Sequence, residues 1–332
     1  MAPLLEVRNL SISYCTPSGS ACAVRNLSLR IFEGETLALV GETGSGKSTL
    51  ALAVLGLLAP QAQIESGEIF FEGRSIREFA RDDWKSIRSR KIGMVFQDAR
   101  GALNPILSIE EHITETLRTH QPALSRREAR VRMRELLMEV GIPEGQEKRF
   151  PFEFSGGMCQ RIGIALAICN NPRLLIADEP TSAVDSILQA QILHLLRLMK
   201  ERHGLALLII SHDLPLISQV ADRVSVIYGG RIVESGFKDE VFASLAHPYT
   251  RGLMQSQPGL SHHYETNRLS AIPGALPRPG EELAGCAFAP RCELAEAQCA
   301  LAVPAERSLS DTHWAACIKT LHDPESRGDS QK

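Results

Sequence analysis

Continuous apolar runs recur along the first two thirds of the chain, each bounded by glycine, proline or polar residues. Four of them are TLALV at 36–40, IGMVF at 92–96, LLIAD at 174–178 and LALLII at 205–210. Strands buried on both faces, as in a parallel sheet, have this continuous pattern. Helical stretches separate the runs, so the pattern predicts an α/β core around a parallel sheet.

Other segments alternate apolar and polar positions, which is typical of strands with one exposed face. These are LLEVRNLSISY at 4–14, AVRNLSLRI at 23–31 and GEIFFEGRSI at 67–76, with Glu72-Gly73 between two short strand-like runs. They predict an antiparallel flank beside the core. VSVIYGGRIVES at 224–235 predicts a hairpin turned at Gly229-Gly230, because a primed two-residue turn requires positive φ.

The stretch SRREARVRMRELLMEV at 125–140 is rich in helix formers, and Ser125 and Glu128 have the spacing of a capping box. It belongs to a mainly helical insert over about 98–155. Beyond Gly236 the composition changes, and AIPGALPRPGEEL at 271–283 is rich in proline. We therefore expect a large α/β domain over 1–236 and a small C-terminal domain over 237–332.

A phosphate-binding loop is predicted between the run TLALV and a helical segment. Glycines there let backbone N–H groups point at a phosphate at a helix N-terminus, while a lysine reaches the β and γ phosphates and a serine binds Mg²⁺. The alternative is a glycine-rich turn with a surface lysine. A dinucleotide-binding loop is disfavoured, because position 49 is not glycine. The loop comprises Gly41, Glu42, Thr43, Gly44, Ser45, Gly46, Lys47, Ser48 and Thr49.

Two further segments have the chemistry of a nucleotide site. The buried run LLIAD ends in Asp178 and is followed by Glu179, so one carboxylate can bind Mg²⁺ and the next can activate water, although two acids there could simply cap a helix. FSGGMCQR places Ser155, Gly156 and Gly157 at a helix start, which is a second anion site. One nucleotide cannot reach two distant helix N-termini of one chain, so a second subunit is implied.

Together these motifs resemble the ATP-binding subunits of ABC transporters, in which the Ser-Gly-Gly signature of one subunit covers ATP held by the phosphate loop of its partner. The resemblance makes Glu179 the hydrolytic base and Ser48, Gln97 and Asp178 the Mg²⁺ ligands, with Gln97 also sensing the attacking water. It also implies that Tyr14 stacks on adenine, that the SAVD loop ending at Asp185 crosses the dimer interface, and that His212 contacts the γ-phosphate. Taken singly, each of these residues could be an ordinary strand or loop residue.

Three stretches are similar to the oligopeptide and dipeptide importer branch, which also handles nickel complexes: FQDARGALNPILSI, HPYTRGL and IPGALPRPGEELAGCAFAPRC. Cys159 departs from the arginine common in the branch, and TSAVD replaces the commoner Thr-Ala-Leu-Asp. The branch implies a like or related partner ATPase, two permeases and, indirectly, an extracytoplasmic solute-binding protein. The chain would then power uptake from the cytoplasmic face of the inner membrane as a peripheral subunit.

The chain contains eight cysteines, and half of them lie in a C-terminal segment. A reducing compartment disfavours disulfides, which leaves free buried thiols, Zn²⁺ or an iron–sulfur cluster, and spacing alone does not choose between the metals. The resemblance favours a [4Fe–4S] cluster over Zn²⁺, because some members of the branch bind one in such a tail. The segment contains Cys286, Cys292, Cys299 and Cys317, whereas Cys15, Cys22, Cys159 and Cys169 are interpreted as small apolar fillers.

Charge and hydropathy narrow the function classes. The net charge is −3, from 36 Lys and Arg against 39 Asp and Glu, so no strongly basic face for nucleic acid is expected. The start MAPLLEVRNL lacks the features of a signal peptide, and the apolar runs are far shorter than the roughly 20 residues that span a bilayer. A soluble ABC ATPase of a repair or enzyme complex is the alternative, although neither sustained heptads nor a second phosphate loop occurs.

Overall fold

The structure is a computed structural model that describes residues 2–17, 19–182, 185–256, 271–277, 281 and 283–320. The chain divides into two compact units. Unit 1 contains the described residues of Met1–Leu5, Ile31–Thr36 and Phe70–Ile210, and unit 2 contains those of Glu6–Arg30, Leu37–Ile69 and Ser211–Lys332. The C-terminal cysteine segment therefore belongs to the same compact unit as the phosphate loop, and a separate domain over 237–332 stays a prediction.

The described residues form twelve strands, which are numbered here in chain order and are distributed over both units. They are β1 (Leu5–Thr16), β2 (Gly19–Ile31), β3 (Thr36–Val40), β4 (Ala62–Phe71), β5 (Arg74–Ser75), β6 (Ile92–Val95), β7 (Leu174–Asp178), β8 (Ala206–Ser211), β9 (Arg223–Tyr228), β10 (Arg231–Phe237), β11 (Arg307–Ser308) and β12 (Trp314–Ala315).

The helices of the same ranges are mostly short, and several are single turns of the tighter 3₁₀ form. The α-helices are α1 (Lys47–Val54), α2 (Arg81–Ile87), α3 (Ala99–Ala102), α4 (Ile109–His120), α5 (Arg126–Glu139), α6 (Gly156–Ile168), α7 (Ser186–His203), α8 (Leu214–Ile217), α9 (Lys238–Ser244) and α10 (Pro248–Gln255). The 3₁₀ turns are Ile76–Glu78, Pro151–Glu153, Ala289–Arg291 and Ala297–Ala300.

Unit 1 contains the parallel strands β6, β7 and β8, with β7 in the middle. Their register places Ile92 opposite Leu174 and Leu174 opposite Ala206. Every residue of β7 and β8 is buried, which is the reason for their continuous apolar sequence. The parallel strands predicted from these runs are confirmed, and the carboxyl end of β7 carries Asp178 to one edge of the sheet.

Unit 2 contains the other part of the predicted core. Strand β3 pairs in parallel with β9, and β9 turns back into antiparallel β10. The turn is at Gly229-Gly230, whose φ angles of 55° and 82° are the positive values that the sequence predicts there. Strand β10 pairs in turn with β12, which brings the C-terminal segment onto this sheet. The flank strands β2, β1 and β4 lie side by side in that order.

The predicted helical insert contains α3, α4 and α5. Ser125 caps α5 as expected, since its side chain accepts from the Glu128 N–H while the Glu128 carboxylate accepts from the Ser125 N–H at 2.9 Å. Ser108 and Glu111 form a second capping box at the start of α4. Within the described ranges, the structure contains no helix with both the length and the apolar character needed to cross a membrane.

Candidate functional site

The phosphate loop joins β3 to α1 in unit 2 and ends at Gly46, which precedes the first helical residue, Lys47. Gly46 has φ 103°, and a Cβ there would lie 2.4 Å from the carbonyl oxygen of Ala23. At Gly41 a Cβ would lie 2.3 Å from the carbonyl oxygen of Ile227. Glycine is therefore required at both ends of the loop, and the loop holds backbone N–H groups at the start of α1.

Lys47 lies inside the loop, with only 3% of its surface exposed. Its Nζ donates to the carbonyl oxygens of Gly41 at 2.7 Å and Glu42 at 2.9 Å, and to Ser45 Oγ at 3.4 Å. A buried ammonium held by the backbone of its own loop is fixed in position before any ligand arrives. This arrangement favours a phosphate-binding lysine over the alternative of a surface lysine beside a glycine-rich turn.

Two other residues predicted for the nucleotide site lie beside this loop in unit 2. The Tyr14 hydroxyl is 3.1 Å from Oγ1 of Thr49. His212 is exposed and follows Ser211, whose carbonyl oxygen accepts from the Gly41 N–H at 3.2 Å. The structure thus brings Tyr14 next to the end of the loop and His212 next to its beginning.

In unit 1, Asp178 and Glu179 follow the central strand β7 and are 6% and 7% exposed. The Glu179 carboxylate accepts a hydrogen bond from Nε2 of Gln97 at 2.9 Å, because β6 and β7 are neighbouring parallel strands that end at the same edge. Glu179 has φ 43°, a left-handed conformation that is unusual for this residue, and its N–H donates to the Ile210 carbonyl at 3.0 Å. Backbone strain of this kind is concentrated at functional sites.

Ser155 is the N-cap of α6, with its Oγ accepting from the Met158 N–H at 3.3 Å. Ser155 and Gly156 are exposed, so the N-terminal, positive end of the α6 dipole faces solvent. The first turn of α6 carries no acidic side chain that would compensate this positive charge. Asp185 is exposed and caps α7 through the Leu188 N–H at 3.0 Å. The preceding residues of the SAVD loop, 183 and 184, lie outside the described residues.

The four cysteines of the C-terminal segment line one small cavity in unit 2, together with His247 and Phe288. The cavity has a volume of about 10 Å³, room for about one water molecule. Burial raises the pKa of the Cys286 and Cys292 thiols, and raises that of Cys317 to about 11. These three thiols are therefore protonated at neutral pH in the absence of a compensating charge.

His247 also faces this cavity, and it is 1% exposed. Its Nδ1 accepts from the Tyr249 N–H at 3.0 Å, which places the ring proton on Nε2, and the buried Nε2 finds no hydrogen-bond partner among the residues that the structure describes. Burial lowers the pKa of His247 to about 4, so the ring is neutral at physiological pH. Among the described residues, no group of three or more His, Cys, Asp or Glu side chains is arranged to hold a metal ion.

Cys159 and Cys169 are buried, which confirms their interpretation as small apolar fillers. Cys15 is exposed, so that interpretation is wrong for this residue. Its strand alternates between faces, and Cys15 lies near the strand end, where the side chain reaches solvent.

Comparison with known proteins gives the family of the chain. A family profile described as "ABC transporter" matches residues 24–182, and one described as "Oligopeptide/dipeptide transporter, C-terminal region" matches residues 233–299. A putative peptide import ATP-binding protein of Brucella ovis is 42% identical, over 96% of this chain and 97% of that protein. The chain belongs to the ABC transporter ATP-binding family, in its oligopeptide/dipeptide branch.

Other proteins of the ABC family are similar to this chain in sequence or in fold. The oligopeptide transport ATP-binding protein OppD of Mycobacterium tuberculosis is 43% identical over 96% of this chain, which spans about half (52%) of that longer relative. OppD of Bacillus subtilis is 43% identical over 94% of this chain and 87% of its own length. The dimeric ATP-binding cassette MJ0796, solved in a post-hydrolysis state with ADP and Pi, superimposes with a TM-score of 0.64 and 29% identity over 70% of this chain and 98% of its own.

The sequence did not indicate two side chains that contact the phosphate loop of this ABC family member. Arg291 forms an ion pair with Glu42 at 2.7 Å, and the Tyr249 hydroxyl accepts from the Glu42 N–H at 2.8 Å. Both lie in stretches typical of the importer branch, HPYTRGL and CAFAPRC. Their place in these stretches was the sequence feature that could have indicated a functional role. No rule based on spacing predicts that residues more than 200 positions from Glu42 contact it.

Proposed function

We propose that this chain is the ATP-hydrolysing subunit of an ABC importer and powers the uptake of peptides or a related solute. The observation that carries the proposal is the preformed phosphate loop, with buried Lys47 held by the carbonyls of Gly41 and Glu42. It is supported by the 42% identity, over almost the whole length of both chains, to the Brucella ovis protein named as a putative peptide import ATP-binding protein.

The proposed chemistry assigns one task to each group. The backbone N–H groups of Gly44–Thr49 and the Lys47 ammonium bind the ATP phosphates, and Tyr14 stacks on adenine. The Ser48 hydroxyl, the Asp178 carboxylate and the amide oxygen of Gln97 would hold Mg²⁺, which neutralises phosphate charge. Glu179 accepts the proton of the attacking water, and its hydrogen bond from Gln97 fixes the carboxylate orientation. His212 contacts the γ-phosphate.

The proposed assembly pairs this chain with a like or related ATPase. The start of α6, with Ser155 and Gly156 exposed and Gly157 buried behind them, would cover the ATP bound by the partner, and Asp185 would lie at the dimer interface. Two permeases would dock on the helical insert at the cytoplasmic face of the membrane, and an extracytoplasmic solute-binding protein would deliver the solute. The solved dimeric cassettes support the pairing in general terms.

Dimer formation is expected to limit the ATPase activity of the purified chain, because each ATP needs the signature of a second subunit. Alone and dilute, the chain is expected to be a poor ATPase, and its specific activity should rise with protein concentration or on adding its partner ATPase and permeases. Phosphate release measured across a dilution series tests this. A specific activity independent of both concentration and partners would contradict the proposal and favour a self-contained enzyme.

For the C-terminal region over 237–332 we propose that Cys286, Cys292, Cys299 and Cys317 bind a [4Fe–4S] cluster. The donor set fits in its chemistry, because four cysteines line one cavity beside His247, but the described side chains are not arranged to hold a metal ion in this structure. At about 10 Å³ the cavity is tight, so the thiols would have to move apart. When bound, the cluster would cross-link four thiolates of a segment that has little apolar core of its own.

Replacing Cys292 or Cys317 by serine is expected to remove most of the bound iron and sulfide and to lower the unfolding temperature, because one ligand of the cross-link is lost. Cys15→Ser is the matched control, since Cys15 is exposed and outside the cavity. Anaerobic purification followed by iron, sulfide and zinc analysis measures the effect. Stoichiometric zinc without sulfide would contradict the cluster, and the absence of any metal would restore the free-thiol interpretation.

A further inference from the structure

Glu42, the second residue of the phosphate loop, is held by a side chain of the C-terminal segment. Arg291 Nη1 donates to Glu42 Oε2 at 2.7 Å, and Nη2 donates to Oε1 at 3.0 Å. Two parallel bonds between a guanidinium and a carboxylate are stronger and more directional than a single contact. The Arg291 side chain is 4% exposed and that of Glu42 is 30% exposed, so solvent screens this pair less than an exposed ion pair.

Arg291 is itself fixed by the residues around it. Besides the two bonds to Glu42, its guanidinium donates to the carbonyls of Pro273 at 2.7 Å and Ile272 at 3.3 Å and to the Tyr228 hydroxyl at 3.3 Å. An arginine has five N–H groups, and the five contacts account for all of them. The position of the guanidinium is therefore determined by the fold of the C-terminal segment.

The backbone of Glu42 is also held from two sides. Its N–H donates to the hydroxyl of Tyr249, a fully buried residue of α10, at 2.8 Å. Its carbonyl oxygen accepts from Lys47 Nζ at 2.9 Å. A continuous chain of contacts thus leads from the C-terminal segment through Glu42 to the lysine of the phosphate loop.

We propose that Arg291 is a positioning residue of the phosphate loop: with Tyr249 it fixes Glu42, whose carbonyl holds Lys47 in place for the phosphates of ATP. This inference rests on the proposed function of the loop. Arg291 lies directly before Cys292 and ends the 3₁₀ turn Ala289–Arg291, so the fold of the cysteine segment places its guanidinium at Glu42.

The test is a double-mutant cycle in the full-length chain. Arg291→Gln and Glu42→Gln are each expected to weaken binding of a fluorescent ATP analogue with Mg²⁺ about tenfold, which corresponds to the loss of one hydrogen-bonded charge pair. Both changes break the same ion pair. The double variant should therefore bind the ATP analogue with about the same affinity as whichever single variant binds it less tightly. With partners present, Arg291→Gln and Glu42→Gln should each raise the KM for ATP and leave kcat within about twofold of the wild-type value. Arg291→Lys should bind ATP more tightly than Arg291→Gln and less tightly than the wild type.

Arg25→Gln is the matched control. Arg25 also donates to the C-terminal segment, but its bond is to the Glu281 carbonyl (2.9 Å), so the nucleotide affinity of Arg25→Gln should equal that of the wild type. Unchanged affinity in Arg291→Gln and Glu42→Gln, or strictly additive effects, would overturn the inference. Lys47→Ala separates the two levels: if it binds ATP normally, the proposed function of the loop fails, and if only the Arg291 variants bind normally, this inference alone fails.

Discussion

Glu179→Gln is expected to slow ATP hydrolysis by about 10²–10⁴-fold, because an amide cannot accept the proton that a general base removes from water. Nucleotide binding should persist, since the change keeps the shape of the side chain and the phosphate loop is untouched. With hydrolysis blocked, ATP should hold two subunits together as a stable dimer. Steady-state phosphate release with the native partners present, and size-exclusion chromatography with and without Mg²⁺ and ATP, measure the two effects.

A suitable control for Glu179 is a second glutamate of unit 1 whose carboxylate also accepts hydrogen bonds from side chains. Glu72 meets this condition through Lys91 and Arg173. Glu72→Gln should leave kcat within a few-fold of the wild type, even if the unfolding temperature falls. Normal hydrolysis by Glu179→Gln, with its partners present, would show that Glu179 is not the base.

Sequence was informative where one local pattern determines one local structure. The apolar runs predicted β3, β6, β7 and β8, because short apolar runs bounded by glycine, proline or polar residues are typical of strands buried on both faces. Gly229-Gly230 predicted a hairpin turn for a steric reason, and the φ angles confirm it. The contact between Gln97 and Glu179 follows from the same logic, because each residue follows one of two neighbouring parallel strands.

Sequence was less informative for contacts that depend on the tertiary fold. Strand β12 contains only two residues, so it has no period to detect, yet it joins the C-terminal segment to β10. Buried Glu234 on β10 accepts from His313 at 2.9 Å and from the His247 N–H at 2.9 Å. Nothing local distinguishes Glu234 from an exposed strand glutamate, and its burial is known only once both partners are placed.

The same limit explains why Arg291 was not predicted as a neighbour of the phosphate loop. The change in composition beyond Gly236 predicts a domain boundary, which stays a prediction and gives no reason to expect a contact between the cysteine segment and the loop. In the structure the two belong to one compact unit and are joined at Glu42. The composition of a segment can indicate how that segment is stabilised. It does not predict which other segment of the chain the segment contacts.

Lys47→Ala is expected to weaken binding of ATP with Mg²⁺ by about 10²-fold, an effect on affinity rather than on turnover. The change removes the ammonium that we propose binds the β and γ phosphates, where a hydrogen bond to a charged group contributes about 1.5–3 kcal/mol. It also leaves the carbonyls of Gly41 and Glu42 without their shared donor, so the loop loses an internal restraint. Equilibrium titration with a fluorescent ATP analogue measures the loss directly.

Lys238→Ala is the matched control for Lys47, because Lys238 lies in the same unit but at the partly exposed start of α9, and its removal should leave ATP affinity unchanged. Glu179→Gln provides the opposite phenotype. The lysine variant should fail to form the ATP-dependent dimer because it does not bind ATP, whereas the glutamine variant should accumulate that dimer because it binds ATP without hydrolysing it. If Lys47→Ala bound ATP with normal affinity, the loop from Gly41 to Thr49 would not be the nucleotide site.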